Sequence, residues 1–228
     1  MLDVVKNEFK INTTTDSSEV VKGSDIIIVA VKPNVYDIVL NSINEFIDSN
    51  KIIVTIAAGK TIESIEVVIG CDKKIIRTMP NTPALVNEGM SCLCKNKNVS
   101  DEELNLVKDI FTSFGKAEIV PEYLVDSVIG VSGSAPAYVF MFIEAMADAA
   151  VLSGMPRAQA YTFAAQAVMG SAKMVLETGK HPGELKDMVC SPGGTTIEAV
   201  KTLEEEGFRS AVIKAIDKCI EKSKVMSN

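Results

Sequence analysis

The feature that most limits what this chain can become is a run with no polar side chain, Ile26-Ile27-Ile28-Val29-Ala30-Val31, set between Asp25 and Lys32-Pro33. A strand with one wet face alternates polar and apolar residues. A continuous β-branched run predicts a strand buried on both faces, as in a parallel sheet. A second run, Ile52-Ile53-Val54-Thr55-Ile56, ends at Ala57-Ala58-Gly59, and a third, Lys74–Thr78, enters Met79-Pro80-Asn81-Thr82-Pro83. Between them lie two helical patterns. One follows Asn34, a possible cap, and carries Val35, Ile38, Val39, Ile43, Phe46 and Ile47; the other follows Thr61, also a possible cap, and ends at Ile69. This β-α-β-α-β alternation is that of a doubly wound α/β domain with right-handed crossovers.

Such sheets bind ligands beyond the carboxyl ends of their strands. Three segments fall there: Ala30–Pro33, Ile56–Gly59 and Met79–Pro83. Their small residues and prolines would let a planar cofactor approach closely, and ordinary αβ-loop chemistry accounts for them equally well. The half is completed by a strand at Met90–Lys95, a helix at Ser100–Phe114 and a strand at Ala117–Val120. Ser100 with Glu103 has the spacing of a capping box, and Gly115 suits a helix C-terminus. Cys92 and Cys94 share one face of their strand and are expected as small core residues. The first residues are polar, and residues 13–18 form a hydroxyl-rich loop into a short helix at Glu19–Lys22.

Strand signals stop at Pro121, so the chain divides into an α/β part, residues 1–121, and an all-helical part, residues 122–228. Glu122–Val131 is expected to be helical and to end near Gly130 and Gly133. From Ser134 to Leu152 the pattern is apolar nearly all round, including Tyr138, Phe140, Met141, Phe142 and Ile143. A helix of that kind is buried on most sides, and about a hundred helical residues cannot cover it alone. A second subunit is therefore expected, giving an interlocked dimer. Glu144 and Asp148 share a face, but the i, i+4 spacing suits a polar stripe better than a catalytic pair. Arg157–Leu176 is a further helix, rich in small residues that permit close contacts. His181, before Pro182, is expected to cap a helix and not to act as a base.

The stretch Lys186–Thr196 lies between two helical patterns. Pro192, Gly193 and Gly194 fix a tight loop, and Thr195 or Thr196 can cap the helix that carries Ile197, Val200 and Leu203. Free N–H groups and the positive end of that helix make a site for an anion such as a small carboxylate. A plain helix–helix connector has the same look. The last helices are expected at Thr195–Glu206 and Arg209–Val225.

Composition narrows the partners. A net charge of −7 argues against a nucleic-acid surface, so an anionic substrate needs a local positive site. The five cysteines form no C-x-x-C and His181 is the single histidine, so no metal centre is expected and the thiols are taken as reduced in a cytoplasmic protein. No run of consecutive apolar residues reaches the length of a membrane span, and no secretory segment opens the chain.

Five segments together resemble the pyrroline-5-carboxylate reductase family: Ala30–Pro33, Met79–Pro83, Ser132–Tyr138, His181–Thr196 and Gly207–Ser210, in the family's order. The resemblance implies a Rossmann-like domain followed by an all-α dimerisation domain. It implies reduction of 1-pyrroline-5-carboxylate to L-proline, the last step of proline synthesis, with NADPH or NADH. Carried over by motif, Ser191, Gly193, Gly194 and Thr195 would hold the substrate carboxylate, and Thr196 would be catalytic, at the ring nitrogen. Ala30, Val31, Lys32, Pro33, Ala57 and Ala58 would line the cofactor, with Asn81 bordering the nicotinamide. The implied assembly is a homodimer or a ring of dimers. Met188 stands where family members often have Asn, which puts one polar cofactor contact in doubt.

A dinucleotide fold normally opens with a strand and a Gly-x-Gly-x-x-Gly turn, and none occurs before Ser24. On that reading the parallel sheet is incomplete, lacking its first strand, Gly-rich turn and first helix. Weak cofactor binding and an open strand edge are expected. Two alternatives stand beside the reductase. One is a non-catalytic chain that only joins oligomers. The other is a related two-domain imine or 3-hydroxy-acid reductase, which would commonly need a Lys that Ser132–Leu152 lacks.

Overall fold

A computed structural model describes residues 2–227. They divide into two compact units: residues 2–133 with residues 219–227, and residues 134–218.

The first unit is built on one five-stranded sheet in the order β1-β2-β3-β4-β5, with β1 at Ile26–Val29, β2 at Ile52–Thr55, β3 at Lys74–Met79, β4 at Gly89–Lys95 and β5 at Gly115–Ile119. The first three strands are parallel, with Ile27 beside Ile53 and Ile53 beside Ile75. β4 runs antiparallel to β3, and β5 parallel to β4, so the sheet is mixed at this end. Both faces are covered, as the apolar runs require. On one face, Ile27, Val29, Ile53 and Ile75 pack with Tyr36, Leu40 and Ile43 of α3 (Pro33–Ile43) and Ile62, Ile65 and Ile69 of α4 (Ile62–Ile69). On the other, Ile52, Val54, Ile76 and Leu93 pack under Leu104, Val107 and Phe111 of α5 (Asp101–Thr112). β1 is an edge strand, and Ile28 on it is exposed.

Local chemistry explains most boundaries. Thr61 accepts from Ser64 N at 3.0 Å and starts α4. Ser100 and Glu103 exchange the two bonds of a capping box at the start of α5. Two expectations change. Asn34 does not cap α3: Lys32 is the N-cap and Pro33 takes the first helical position, which its fixed φ suits. Gly115 is not a helix terminator but the first residue of β5, with Ser113 the C-cap. A Cβ on Gly115 would lie 2.0 Å from the Gly89 carbonyl oxygen, so glycine is required there for strand contact. The polar N-terminal residues also hold structure: α1 (Leu2–Phe9) is a helix with no buried residue, and α2 (Ser17–Lys22) follows it.

After a 3₁₀ turn at Glu122–Leu124, α6 (Val125–Val128) passes into a π turn at Ile129–Gly133. The expectation that no stretch reaches membrane length needs correcting. Glu122–Leu152 is a 31-residue helical stretch with an 18-residue window of mean hydropathy 1.5, enough by length and composition alone to cross a bilayer. Isolated serines and glycines hide it from a search for unbroken apolar runs.

The second unit is helical: α7 (Ala135–Leu152), α8 (Arg157–Thr178), α9 (Pro182–Val189), α10 (Thr195–Glu205) and the first part of α11 (Phe208–Ser227). Among its described residues only Ala147, Ala160 and Ala164 are buried. These alanines lie on α7 and α8, the two helices that pack together. Asp148 is held by Arg157 across the intervening turn, which occupies it in an ion pair and leaves no carboxylate pair with Glu144.

Candidate functional site

The candidate cofactor segments all lie at the carboxyl ends of β1, β2 and β3, within the first unit. Ala30, Lys32 and Pro33 are exposed and Val31 is half-buried as the chain leaves β1 for α3. Lys32 makes no side-chain cap, so the first N–H groups of α3 face outward without a side-chain acceptor. Ala57 is buried and its N–H donates to Thr55 Oγ1 at 3.2 Å. Ala58 and Gly59 are half-buried, and Gly59 has φ +76°. Small side chains at an uncapped helix start suit a dinucleotide's ribose and phosphate oxygens, so these residues fit part of such a group. An apolar groove of about 660 Å³, lined by Ile28, Ile56, Pro80, Asn81 and Phe114 among others, adjoins two of the three segments.

Asn81 stands apart from the rest. Its Oδ1 accepts from Met90 N at 2.8 Å, and its Nδ2 donates to Ser132 O at 3.2 Å and Oγ at 3.3 Å. Its amide is therefore engaged within the protein, tying the loop after β3 to β4 and to the π turn. Sequence reading had no signal for this, because the partners are 9 and 51 residues away.

Sequence reading also missed a part-buried ion pair between the sheet and the turn that follows it. Arg77 of β3 is 3% exposed, and its Nη1 donates to Glu122 Oε1 at 3.0 Å. The same oxygen accepts from Ile62 N at 2.8 Å, capping α4 from a distance. Cys94, beside Arg77 in register, is buried, and desolvation pushes its thiol up to about 12. Burial likewise raises Cys92. Both thiols stay protonated, which fits packing and not redox chemistry.

The candidate substrate loop belongs to the second unit. His181 caps α9, its Nδ1 accepting from Gly183 N at 3.0 Å, with Pro182 at the first helical position. α9 ends at Cys190, and Gly194 N donates back to Ser191 O at 3.0 Å to close the loop. Gly193 adopts φ +66°, and a Cβ there would meet nothing within 4 Å. A Cβ on Gly194 would sit 2.4 Å from Ser191 Oγ and 3.2 Å from the Ser191 carbonyl oxygen, so a side chain there would make the Ser191 hydroxyl turn away.

Neither Thr195 nor Thr196 caps α10. Gly194 is the N-cap, with φ −81° and ψ 171°, no side chain caps the helix, and the threonines are its first two helical residues. The physical reason is where the backbone turns: residue 194 takes the extended conformation of an N-cap, so the helix begins at Thr195 and both threonines fall inside it. The N–H groups of Thr195, Thr196 and Ile197 are thus left without an intrahelical or side-chain partner. Among the described residues neither threonine hydroxyl has a hydrogen-bond partner, so both remain available. The start of α10 thus carries backbone donors without an intrahelical partner and the positive end of a helix dipole, next to open space at Gly193. Lys186, paired with Asp187 at 2.7 Å, is held above its ordinary value by that bond and stays cationic beside the loop. Met188, in the position of the doubtful cofactor contact, is exposed.

Residues 122–226 match the family model for pyrroline-5-carboxylate reductase dimerisation, and residues 2–59 match that of the coenzyme F420-dependent NADP oxidoreductases. The pyrroline-5-carboxylate reductase of Escherichia coli (strain K12) is 60% identical over 221 residues, spanning 97% of this chain and 82% of the relative. That of Methanosarcina acetivorans is 48% identical, over 94% of this chain and 79% of the relative. Among solved structures, a pyrroline-5-carboxylate reductase from Coxiella burnetii superposes with a TM-score of 0.93 at 33% identity, over 100% of this chain and 85% of that one. The Plasmodium falciparum pyrroline carboxylate reductase with NADP bound superposes with a TM-score of 0.89 at 37% identity, over 96% and 83%.

Proposed function

The chain belongs to the pyrroline-5-carboxylate reductase family, and from that premise we infer that it reduces 1-pyrroline-5-carboxylate to L-proline with NADPH. The single observation that carries the substrate assignment is the uncapped start of α10 behind Gly193 and Gly194. A carboxylate at that point gains the N–H groups around Ser191, Gly193, Gly194 and Thr195 and the positive end of the helix, with no competing side chain. Holding the ring by its carboxylate fixes the orientation of the C=N bond, which lowers the entropic part of the barrier. The Thr196 hydroxyl then hydrogen-bonds the ring nitrogen and helps place its proton. The dinucleotide, when bound, supplies the hydride that the imine carbon receives. Hydride at carbon and a proton at nitrogen convert the C=N bond to the amine of proline, and the carboxylate is unchanged.

Ala30, Val31, Lys32, Pro33, Ala57 and Ala58 are proposed to hold the dinucleotide. Asn81 would act by shaping the adjacent loop, since its own amide is engaged. In this division of labour residues 1–121 serve the cofactor, and residues 122–228 serve substrate binding and dimerisation. The exposed apolar side chains of α7 and α8 support a homodimer as the working form. A cytoplasmic setting suits the buried, protonated Cys92 and Cys94.

The test is Thr196→Ala. We expect turnover to fall by about a hundredfold with the melting temperature unchanged, as for loss of one positioned hydrogen bond in the transition state. Unchanged turnover would remove Thr196 from the chemistry. An oligomerisation-only role would require the polypeptide to assemble yet show no NADPH binding in calorimetry and no proline formed.

A further inference from the structure

The loop that follows β2, Ala57-Ala58-Gly59, does not stand on its own strand and helix alone. The last turns of α11 return to the first unit and pack against it. Gly59 has φ +76°, and a Cβ built on it would lie 2.8 Å from the Met226 carbonyl oxygen and 3.3 Å from Met226 Cβ. Residue 59 must therefore be glycine twice over, for its left-handed backbone and for the carbonyl pressed against it. One turn back on α11, Ser223 is 6% exposed and its hydroxyl donates to Asp126 Oδ1 of α6 at 2.5 Å. One turn further back, Cys219 packs on the core cluster that contains Ala57, Ile62, Val125 and Ile129. The three residues recur every three or four positions and so share one face of the helix.

We propose that this face of α11, from Cys219 through Ser223 to Met226, is a strut that holds the Ala57–Gly59 loop in its dinucleotide-receiving shape. Ser223, Met226 and Gly59 are then positioning residues: they act on the cofactor through the loop backbone. Contacts distant in sequence are what such a loop needs, because among the described residues its local tie is the Ala57 N–H bond to Thr55 Oγ1. The part-buried Ser223–Asp126 bond sets the axial register of the helix. A slip of even part of a turn would move the Met226 carbonyl, with a rise of about 1.5 Å per residue. The proposal rests on the reading of Ala57 and Ala58 as cofactor contacts, and its test separates the two.

The test compares the full chain with Ser223→Ala, Ser223→Thr and a chain ending at Lys222, by amide hydrogen exchange and by steady-state kinetics. Ser223→Ala and the shortened chain should speed exchange at residues 57–60 by about tenfold or more, with exchange in β1–β3 unchanged. The KM for NADPH should rise by about five- to twentyfold while the KM for pyrroline-5-carboxylate and kcat hold, the signature of a lost cofactor contact surface. Ser223→Thr keeps the hydroxyl and should restore both. Unchanged exchange at residues 57–60 would overturn the strut. Faster exchange with an unchanged KM for NADPH would reduce it to a packing contact and overturn its role in positioning. If the parent chain showed no NADPH binding at all, the cofactor reading would fall, while the exchange comparison would still decide the strut.

Discussion

In the sheet unit Tyr36, Leu40, Ile53 and Ile75 are fully shielded from water, whereas in the helical unit Phe140, Met141 and Phe163 keep 64%, 70% and 66% of their surface exposed. The two regions are similarly rich in apolar residues, so the difference lies in architecture. A sheet with helices on both faces closes two cores by itself, one under α3 and α4 and one under α5. Two long helices packed through alanines close almost nothing. Each large side chain left outside forgoes about 1.5–3 kcal/mol of burial. An exposed apolar surface of this extent marks an interface. The chain thus carries one part that can be stable alone and one part whose stability is a property of the assembly.

The sharpest way to break that contrast is to put a charge on α7. Phe140→Asp should weaken self-association by about 4 kcal/mol, about a thousandfold, since it removes a large apolar contact and strands a carboxylate. Sedimentation would show monomers at concentrations where the parent is dimeric, and activity should fall with the dimer. A variant that remained fully dimeric would place the subunit contact on some other surface.

The complementary experiment strikes the self-sufficient unit. Leu40→Ala, at a site with no exposure, should cost about 2–5 kcal/mol through lost transfer energy and a cavity. The loss should be the same at every protein concentration, because no partner is involved, and denaturant melts over a range of concentrations would show it. A concentration-dependent loss would mean that the sheet unit, too, depends on assembly.

The same contrast decides what could be seen in the sequence. Period and run length exposed β1, β2 and β3, because a strand buried on both faces must be apolar throughout; β2 and β3 are so buried, whereas β1, at the sheet edge, leaves Ile28 exposed on one face, against expectation. The capping box at Ser100 and Glu103 was legible for a similar reason: both partners lie within one turn. The His181 cap was legible too. What escaped are bonds between distant positions. Arg77 with Glu122, Asn81 with Ser132 and Ser223 with Asp126 span 45, 51 and 97 residues, and no local pattern announces them. The substrate loop shows the limit within a single turn. Its glycines pointed to a tight loop before a helix, as an anion site or a plain connector would need, but whether Gly194 or a threonine starts α10 depends on one backbone angle. That detail changes the chemistry: as the first helical residues, Thr195 and Thr196 offer both backbone N–H groups and hydroxyls to a ligand, instead of satisfying the helix.

The smallest effect concerns Glu103, one of two carboxylates, with Asp101, that tie α5 to the sheet. Glu103 Oε1 accepts from Lys74 Nζ of β3 at 2.6 Å, and Oε2 accepts from Ser100 N at 2.9 Å. The Lys74 ammonium, then the Ser100 N–H, holds Glu103 below its ordinary value of 4.5. A depressed carboxylate stabilises the fold above its unfolded value and loses that contribution as pH falls towards the folded one. Glu103→Gln should therefore cost no more than about 1 kcal/mol at neutral pH, because water screens the partly exposed pair. The gap between parent and variant should be constant down to about pH 5, where the unfolded carboxyl begins to titrate, and shrink on further acidification. A gap that stayed constant on acidification would assign the stability to the helix cap alone, with the charge of Glu103 contributing nothing, and a gap that widened would mean that the carboxyl is raised and not depressed in the fold. Because α5 covers the second core of the sheet unit, any change should appear as a shift of the Leu40-containing unit's melt and leave the subunit equilibrium untouched.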